Sequence, residues 1–348
     1  MAGLEETFLK LKQQTNQLTH NPLLNCFDQD DLQRMDDKAN SDPFIAEKKT
    51  NILNYIRNIN IDFDPQLKSA YDEYSEAMTY FLLKEKFNAV RRVPESNSKT
   101  PDFEIEFEYN DGEETEVCSV YAELKSLSFA DGNLNYKKTM EQGLIAQIDL
   151  ERQLNQGRKV ATAITEIQPL LKGNKTYDPT SIKYLIEILI EKIEQNIKEG
   201  QFSLGDTVLL IDLKQLGSLS PFIESATPVF REKMYQSLVS GTQWNIAFGK
   251  VGHLIFKPIE FEGKDNVEGE LQKEGILVKR DFIKAIIFIN YCFSDKEKSK
   301  IVGLHQQRNI GNSVEAFLHR FCDFVNDEKN SNGWKVNNTD VLNEESNL

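Results

Sequence analysis

The chain has 348 residues, 39% of them hydrophobic, enough apolar surface to bury a core and to exclude a generally disordered polypeptide. Its formal charge of −14 excludes a uniformly basic nucleic-acid binder, so any contact with phosphates has to come from a local cluster of Lys and Arg. No run of about 18 apolar residues occurs, so no membrane-spanning helix and no membrane partner are expected.

In chain order, residues 1–62 read as a polar helical region. Leu4, Phe8 and Leu11 fall at helical spacing, and Ser41-Asp42-Pro43 opens a helix over 45–58. A better marked helix starts at Asp64-Pro65, with Tyr71, Met78, Phe81 and Leu82 as its apolar stripe and Glu76 in its middle. Short strands follow. Ala89–Val93 is the first, and Phe103–Tyr109 alternates apolar and Glu residues strictly. Asn110-Asp111-Gly112 marks a turn, and Val117–Lys125 returns as the partner strand. The pattern then predicts a helix over 136–156 and a strand over 159–167. Beyond these lie a helix opened by Asp178-Pro179, strands at 207–213, 244–248, 254–259 and 284–291, and a helix over 312–326. The expected organisation is a helical region over 1–62, a core over 63–170, an α/β extension over 171–326 with no linker dividing it from the core, and a polar tail over 327–348. Cys26, Cys118, Cys292 and Cys322 lie far apart, as free thiols of a reducing compartment do. Glu5 and Glu6 do not suit a signal segment, and a cytoplasmic protein is expected.

One constellation carries chemistry. Pro101 lacks an N–H and fits the start of a strand, which makes Asp102 the first polar group on it. On the returning strand Glu123 and Lys125 are two apart and share a face, while Ala122 and Leu124 point the other way. The hairpin brings Asp102 and Glu123 together if the register allows. Carboxylate oxygens suit Mg²⁺ or Mn²⁺, and an adjacent lysine suits the orientation of an attacking water. Glu123 also ends an apolar run, and a buried carboxylate there needs a cation or a metal.

Glu76, then Pro101-Asp102, then Glu123-Leu124-Lys125, on helix, strand and strand, resembles the PD-(D/E)XK (restriction-endonuclease-like) nuclease superfamily. The resemblance covers roughly residues 65–167. It implies an α/β fold with a central mixed sheet flanked by helices, here carrying N-terminal helices and a C-terminal α/β extension. It also implies an Mg²⁺-dependent (or Mn²⁺-dependent) endonuclease, on DNA ahead of RNA, in a setting such as restriction or defence. In that reading Asp102 and Glu123 bind metal, Glu76 supports it and Lys125 assists the water. Arg91, Arg92, Lys99, Lys137, Lys138 and Gln147 are the candidates for nucleic-acid contact. The extension over 171–326 is a candidate surface for a homodimer or a partner protein.

Several features compete with this reading. The acidic residues Glu104, Glu106, Glu108, Asp111, Glu113, Glu114 and Glu116 repel nucleic acid and are expected to face away from a substrate. Asp212-Leu213-Lys214 repeats the D-x-K spacing without a preceding Pro-Asp strand and reads as an ordinary strand exit. His20, His253, His305 and His319 show no metal-ligand spacing. With the charge of −14, the acidic hairpin leaves a catalytically inactive, nuclease-like binding module as the alternative function.

Overall fold

A computed structural model of the chain describes residues 3–14, 22–57, 59, 65–94, 99–110, 115–127, 136–163, 181–216, 223–232, 237–259, 266–290, 300–329 and 334–335. They fall into two compact units, one drawn from Met1–Met78 and Ser128–Tyr177, the other from Thr79–Leu127 and Asp178–Leu348.

The first unit is helical: α1 (Leu4–Gln14), α2 (Gln29–Lys38), α3 (Pro43–Ile56), α4 (Pro65–Lys86) as far as Met78, and α5 (Tyr136–Asn155). Asp28 caps α2 by accepting the Asp30 N–H, and Asp42 caps α3 by accepting those of Phe44 and Ile45, with Pro43 in the first turn. Phe8, Phe27, Tyr71 and Tyr74 form an aromatic centre with ring centroids 4.4–5.7 Å apart. The buried Tyr74 hydroxyl donates to Asp31, and burial together with that carboxylate raises the phenol well above its usual pKa. Lys48 is only 2% exposed and is paired with Glu73 at 2.9 Å and with Glu76. Burial pulls its pKa down, but the two carboxylates more than offset that and leave it raised.

The second unit is built on a mixed sheet. Its strands are β1 (Ala89–Arg92), β2 (Phe103–Asn110), β3 (Thr115–Ser126) and β4 (Thr207–Asp212). Two hairpins follow, β5 (Val229–Glu232) with β6 (Ser237–Ser240), and β7 (Leu254–Phe256) with β8 (Val267–Glu270). The sheet resumes with β9 (Ala285–Asn290), β10 (Lys300–His305), β11 (Phe324–Asp327) and the two-residue β12 (Trp334–Lys335). The order across it is β1-β2-β3-β4-β9-β10-β11-β12. β1, β2 and β3 form an antiparallel meander, whereas β4 runs parallel to both β3 and β9. All six residues of β4 are buried, as expected of a central parallel strand covered on both faces. The helices of this unit are the last part of α4, α6 (Ile182–Asn196), α7 (Thr242–Phe248), α8 (Ile276–Lys279) and α9 (Asn312–Phe321). Phe317 of α9 stacks on Phe87 at 5.0 Å and lies 6.3 Å from Phe107 of β2, tying the helix to the meander. Among the described residues no helix is long and apolar enough to cross a membrane.

The architecture is therefore α/β with a mixed central sheet flanked by helices, and several sequence expectations need correction. Residues 244–248 are not a strand but most of α7. A five-residue apolar run has no period of its own to read, and here Gly241 and Gly249 delimit a buried helical turn. The helix expected over 312–326 stops at Phe321, because Cys322 adopts extended backbone and Asp323 accepts the Ile301 N–H at 2.8 Å, starting β11 beside β10. Residues 159–163 form no strand and 164–167 lie outside the described residues, so the strand found beside β3 is β4, some 80 residues further on. Asp327, placed at the head of a loose tail, ends β11 with its carboxylate accepting from Gln307 (2.9 Å) and Lys329 (2.7 Å). Asp64, Asp178-Pro179, the turn beyond Asn110, Cys292 and residues 336–348 lie outside the described residues. Cys26, Cys118 and Cys322 are free thiols.

Two outcomes follow from this core. Phe317→Ala removes a fully buried ring from the α9–meander contact and is expected to cost about 3–5 kcal/mol in denaturant unfolding; a loss below ~1 kcal/mol would contradict the packing. His305 is buried, and desolvation lowers its pKa despite the pull of Asp327. The unfolded chain therefore binds the proton more readily, so this stability is present above the ordinary His pKa of about 6.5 and is lost as pH falls below it. His305→Asn should flatten the stability-versus-pH curve just below about pH 6.5, measured by urea denaturation.

Candidate functional site

Phe103 faces Ala122 across the β2–β3 ladder, the last register pair at this end. Asp102, at a bend just before β2, donates its N–H to Ala122 O and accepts the Val93 N–H on its carbonyl, each at 3.0 Å. Glu123 and Lys125, two apart on β3, project from the same face. The Asp102 carboxylate is bonded to the N–H of Leu124, the residue between them, so the three residues gather where β2 ends and β3 continues.

Glu123 is 1% exposed. An ionised carboxylate so deeply buried needs strong compensation. One oxygen, Oε1, accepts from the Lys125 ammonium and also from Gln201 Nε2. Gln201 sits on a single 3-10 turn, Glu199–Phe202, after α6. Its amide is oriented from both ends, because Oε1 accepts the Lys198 N–H at 3.0 Å while Nε2 serves Glu123. Asp102 is half-buried, and its Oδ2 accepts the Leu124 N–H at 2.7 Å. That bond gives Asp102 a structural role as well, since the end of β2 leaves this N–H without a ladder partner.

A cluster of lysines borders these acids. Lys99 lies against the Glu199–Phe202 turn: a Cβ on Gly200 would stand 3.5 Å from the Lys99 carbonyl oxygen. The neighbouring Lys198 side chain, then desolvation, then the charges of Lys198 and Lys125 hold Lys99 below the usual lysine pKa.

Sequence reasoning named Asp102, Glu123, Lys125 and Lys99 but not Gln201 or Lys198. No local signal marks the last two, which lie more than 70 residues from Glu123 in the chain. Glu76 belongs to the first unit, where it pairs with Lys48. Gln147 is exposed on α5 and donates to Glu151 at 3.3 Å, and the side chains of Lys137 and Lys138 lie outside the described residues. Arg92 is half-buried on β1. Arg91 forms an ion pair with Glu106, so its charge is already engaged.

The acidic hairpin does not face away as expected. Glu104 pairs with Tyr121, so Glu104, Glu106 and Glu108 share the face of Glu123, and Tyr121 donates to Glu104 at 3.2 Å from the neighbouring strand. Asp212 lies on the opposite face from Glu123, because Ser126 and not Lys125 is its register partner. Its Oδ1 accepts the Lys214 N–H at 2.8 Å, an Asx turn at a strand exit, so the second D-x-K is structural.

Among the described residues no three His, Cys, Asp or Glu side chains converge on a metal position. Two carboxylates still fit a hard cation such as Mg²⁺, which commonly takes one or two from the protein and completes its shell with water and substrate phosphate. No known protein family, curated protein or solved structure matches this chain.

Lys125→Met leaves buried Glu123 without its cation and is expected to cost about 1–3 kcal/mol by chemical denaturation. Adding Glu123→Gln should recover most of that loss. Equal stability of the single variant and wild type would show that the pair does not hold Glu123 in place.

Proposed function

We propose that this protein is a metal-dependent phosphodiesterase that cleaves nucleic acid, DNA ahead of RNA, as the resemblance to PD-(D/E)XK nucleases implies. The observation that carries the reading is the gathering of three groups at the end of β2, with the Asp102 carboxylate on the Leu124 N–H and Lys125 on Glu123. The strand pattern also supports it, since an antiparallel meander followed by a strand parallel to β3 suits the helix–three strands–helix–strand order of that superfamily.

Asp102 and Glu123 would hold the cation, Mg²⁺ or Mn²⁺, through hard oxygens. The cation supplies charge neutralisation at the phosphate and a more acidic water. Lys125 moves between two partners: it neutralises Glu123 when substrate is absent and lends its ammonium to the attacking water or the phosphate when substrate is present. Gln201 keeps the Glu123 carboxylate in a fixed direction throughout.

One observation favours a second reading. The face that carries Glu123 also carries Glu104, Glu106 and Glu108, and that charge opposes an incoming phosphate backbone. A nuclease-like module that binds a partner without cutting is the alternative.

The deciding assay incubates plasmid DNA, single-stranded DNA and RNA with the protein in Mg²⁺, Mn²⁺ or EDTA. Cleavage is expected with either ion and none in EDTA. Asp102→Asn keeps an acceptor for the Leu124 N–H, so it should fold normally by circular dichroism while cutting at least ~100-fold more slowly. Cleavage by Asp102→Asn and Lys125→Met at the wild-type rate, or no cleavage of any substrate, would overturn the nuclease reading in favour of the binding module.

A further inference from the structure

We propose that Lys99 and Lys198, with Lys125 beside them, form a clamp for a backbone phosphate next to the one that is cleaved. This rests on the nuclease reading for the identity of the ligand but not for the existence of an anion site. Three observations lead to it. The turn that carries Lys198 is fastened to the acidic pair through Gln201, so the lysine is placed by the same element that orients Glu123. Lys99 lies against the same turn, its backbone oxygen and Cβ within 4 Å of the Cβ position of Gly200. Both lysines are exposed, and no carboxylate of the described residues pairs with either.

Lys99 packs against Gly200, two residues from Lys198, so two like charges share one small surface, and the Lys198 side chain, desolvation and the charges of Lys198 and Lys125 lower the basicity of Lys99. An arrangement with an unfavourable like-charge contact is relieved by an anion with several acceptor oxygens, which a phosphate supplies and a lysine binds as a point charge. On a chain with a net charge of −14, such a local positive spot also provides the attraction that the acidic strand face withholds. The anion is assigned to a nucleic-acid backbone rather than to a free phosphate because the lysines border the carboxylates that would act on the neighbouring phosphodiester.

The test measures binding apart from cleavage. Full-length protein in EDTA is titrated against a fluorescein-labelled single-stranded DNA oligonucleotide, with anisotropy read at several NaCl concentrations. Lys99→Met and Lys198→Met are each expected to weaken binding about 3–10-fold and to lower the slope of log affinity against log salt by about one unit. Lys273→Met, an exposed lysine already paired with Glu191, is the control and should change neither. A parallel titration with inorganic pyrophosphate separates the two sources of the anion. Lysine-dependent binding of pyrophosphate but not of the oligonucleotide would overturn the assignment to nucleic acid. Wild-type affinity and slope in both lysine variants, or no binding of either ligand, would overturn the clamp itself. Lysine-dependent oligonucleotide binding without cleavage in Mg²⁺ or Mn²⁺ would keep the clamp and remove the nuclease reading.

Discussion

Phe103 opposite Ala122 is the register on which the site depends. With side chains alternating at a period of two, this pairing sends Phe103, Ile105, Phe107, Val120 and Cys118 to one buried face and Glu123 and Lys125 to the other. A slip by one residue would bury the glutamates of β2 and expose its phenylalanines. The cost of that exchange is what holds the acids in place, and the stacking of Phe87, Phe107 and Phe317 secures the meander from the buried side.

The same geometry creates the electrostatic tension of the site. The alternation that gives Glu123 and Lys125 one face also places Glu104, Glu106 and Glu108 on it. The protein answers with individual cations: Arg91 on Glu106, Lys125 on Glu123, and Lys99 with Lys198 at the border. The balance at the end of β2 is thus local, two acids against three lysines, even though the chain as a whole is acidic. Glu123, nearly inaccessible to solvent, depends most on its neighbours.

β4 has a similar organising part on the other side of β3. It is buried throughout, covered on both faces and paired on both edges, with an apolar run from Val208 to Ile211. By joining β3 to β9 it makes residues beyond 178 part of the same sheet as the acidic pair, rather than an appendage. Asp212 at its end turns the chain and belongs to the opposite face, which explains why one D-x-K pattern is structural while Glu123-Leu124-Lys125 lies among the candidate groups.

The amino-acid sequence by itself determined the strict alternation of β2, the shared face of Glu123 and Lys125, the capped helix α3, and the buried character of β4. Each of these is a local pattern, set by helix caps or by the two-residue period of a strand. It also contained the placement of Glu104 beside Asp102, although the acidic run was expected to turn away. Only the tertiary structure decided that Asp102 meets Glu123, that β4 and not residues 159–163 lies against β3, and that Gln201 and Lys198 join the site. The sequence also left residues 244–248 and 324–327 open between helix and strand, because short apolar segments take whichever form buries them best. The physical reason is common to all of these cases: strand partners and distant side chains are selected by burial and charge compensation across the whole core, and no local repeat encodes that selection.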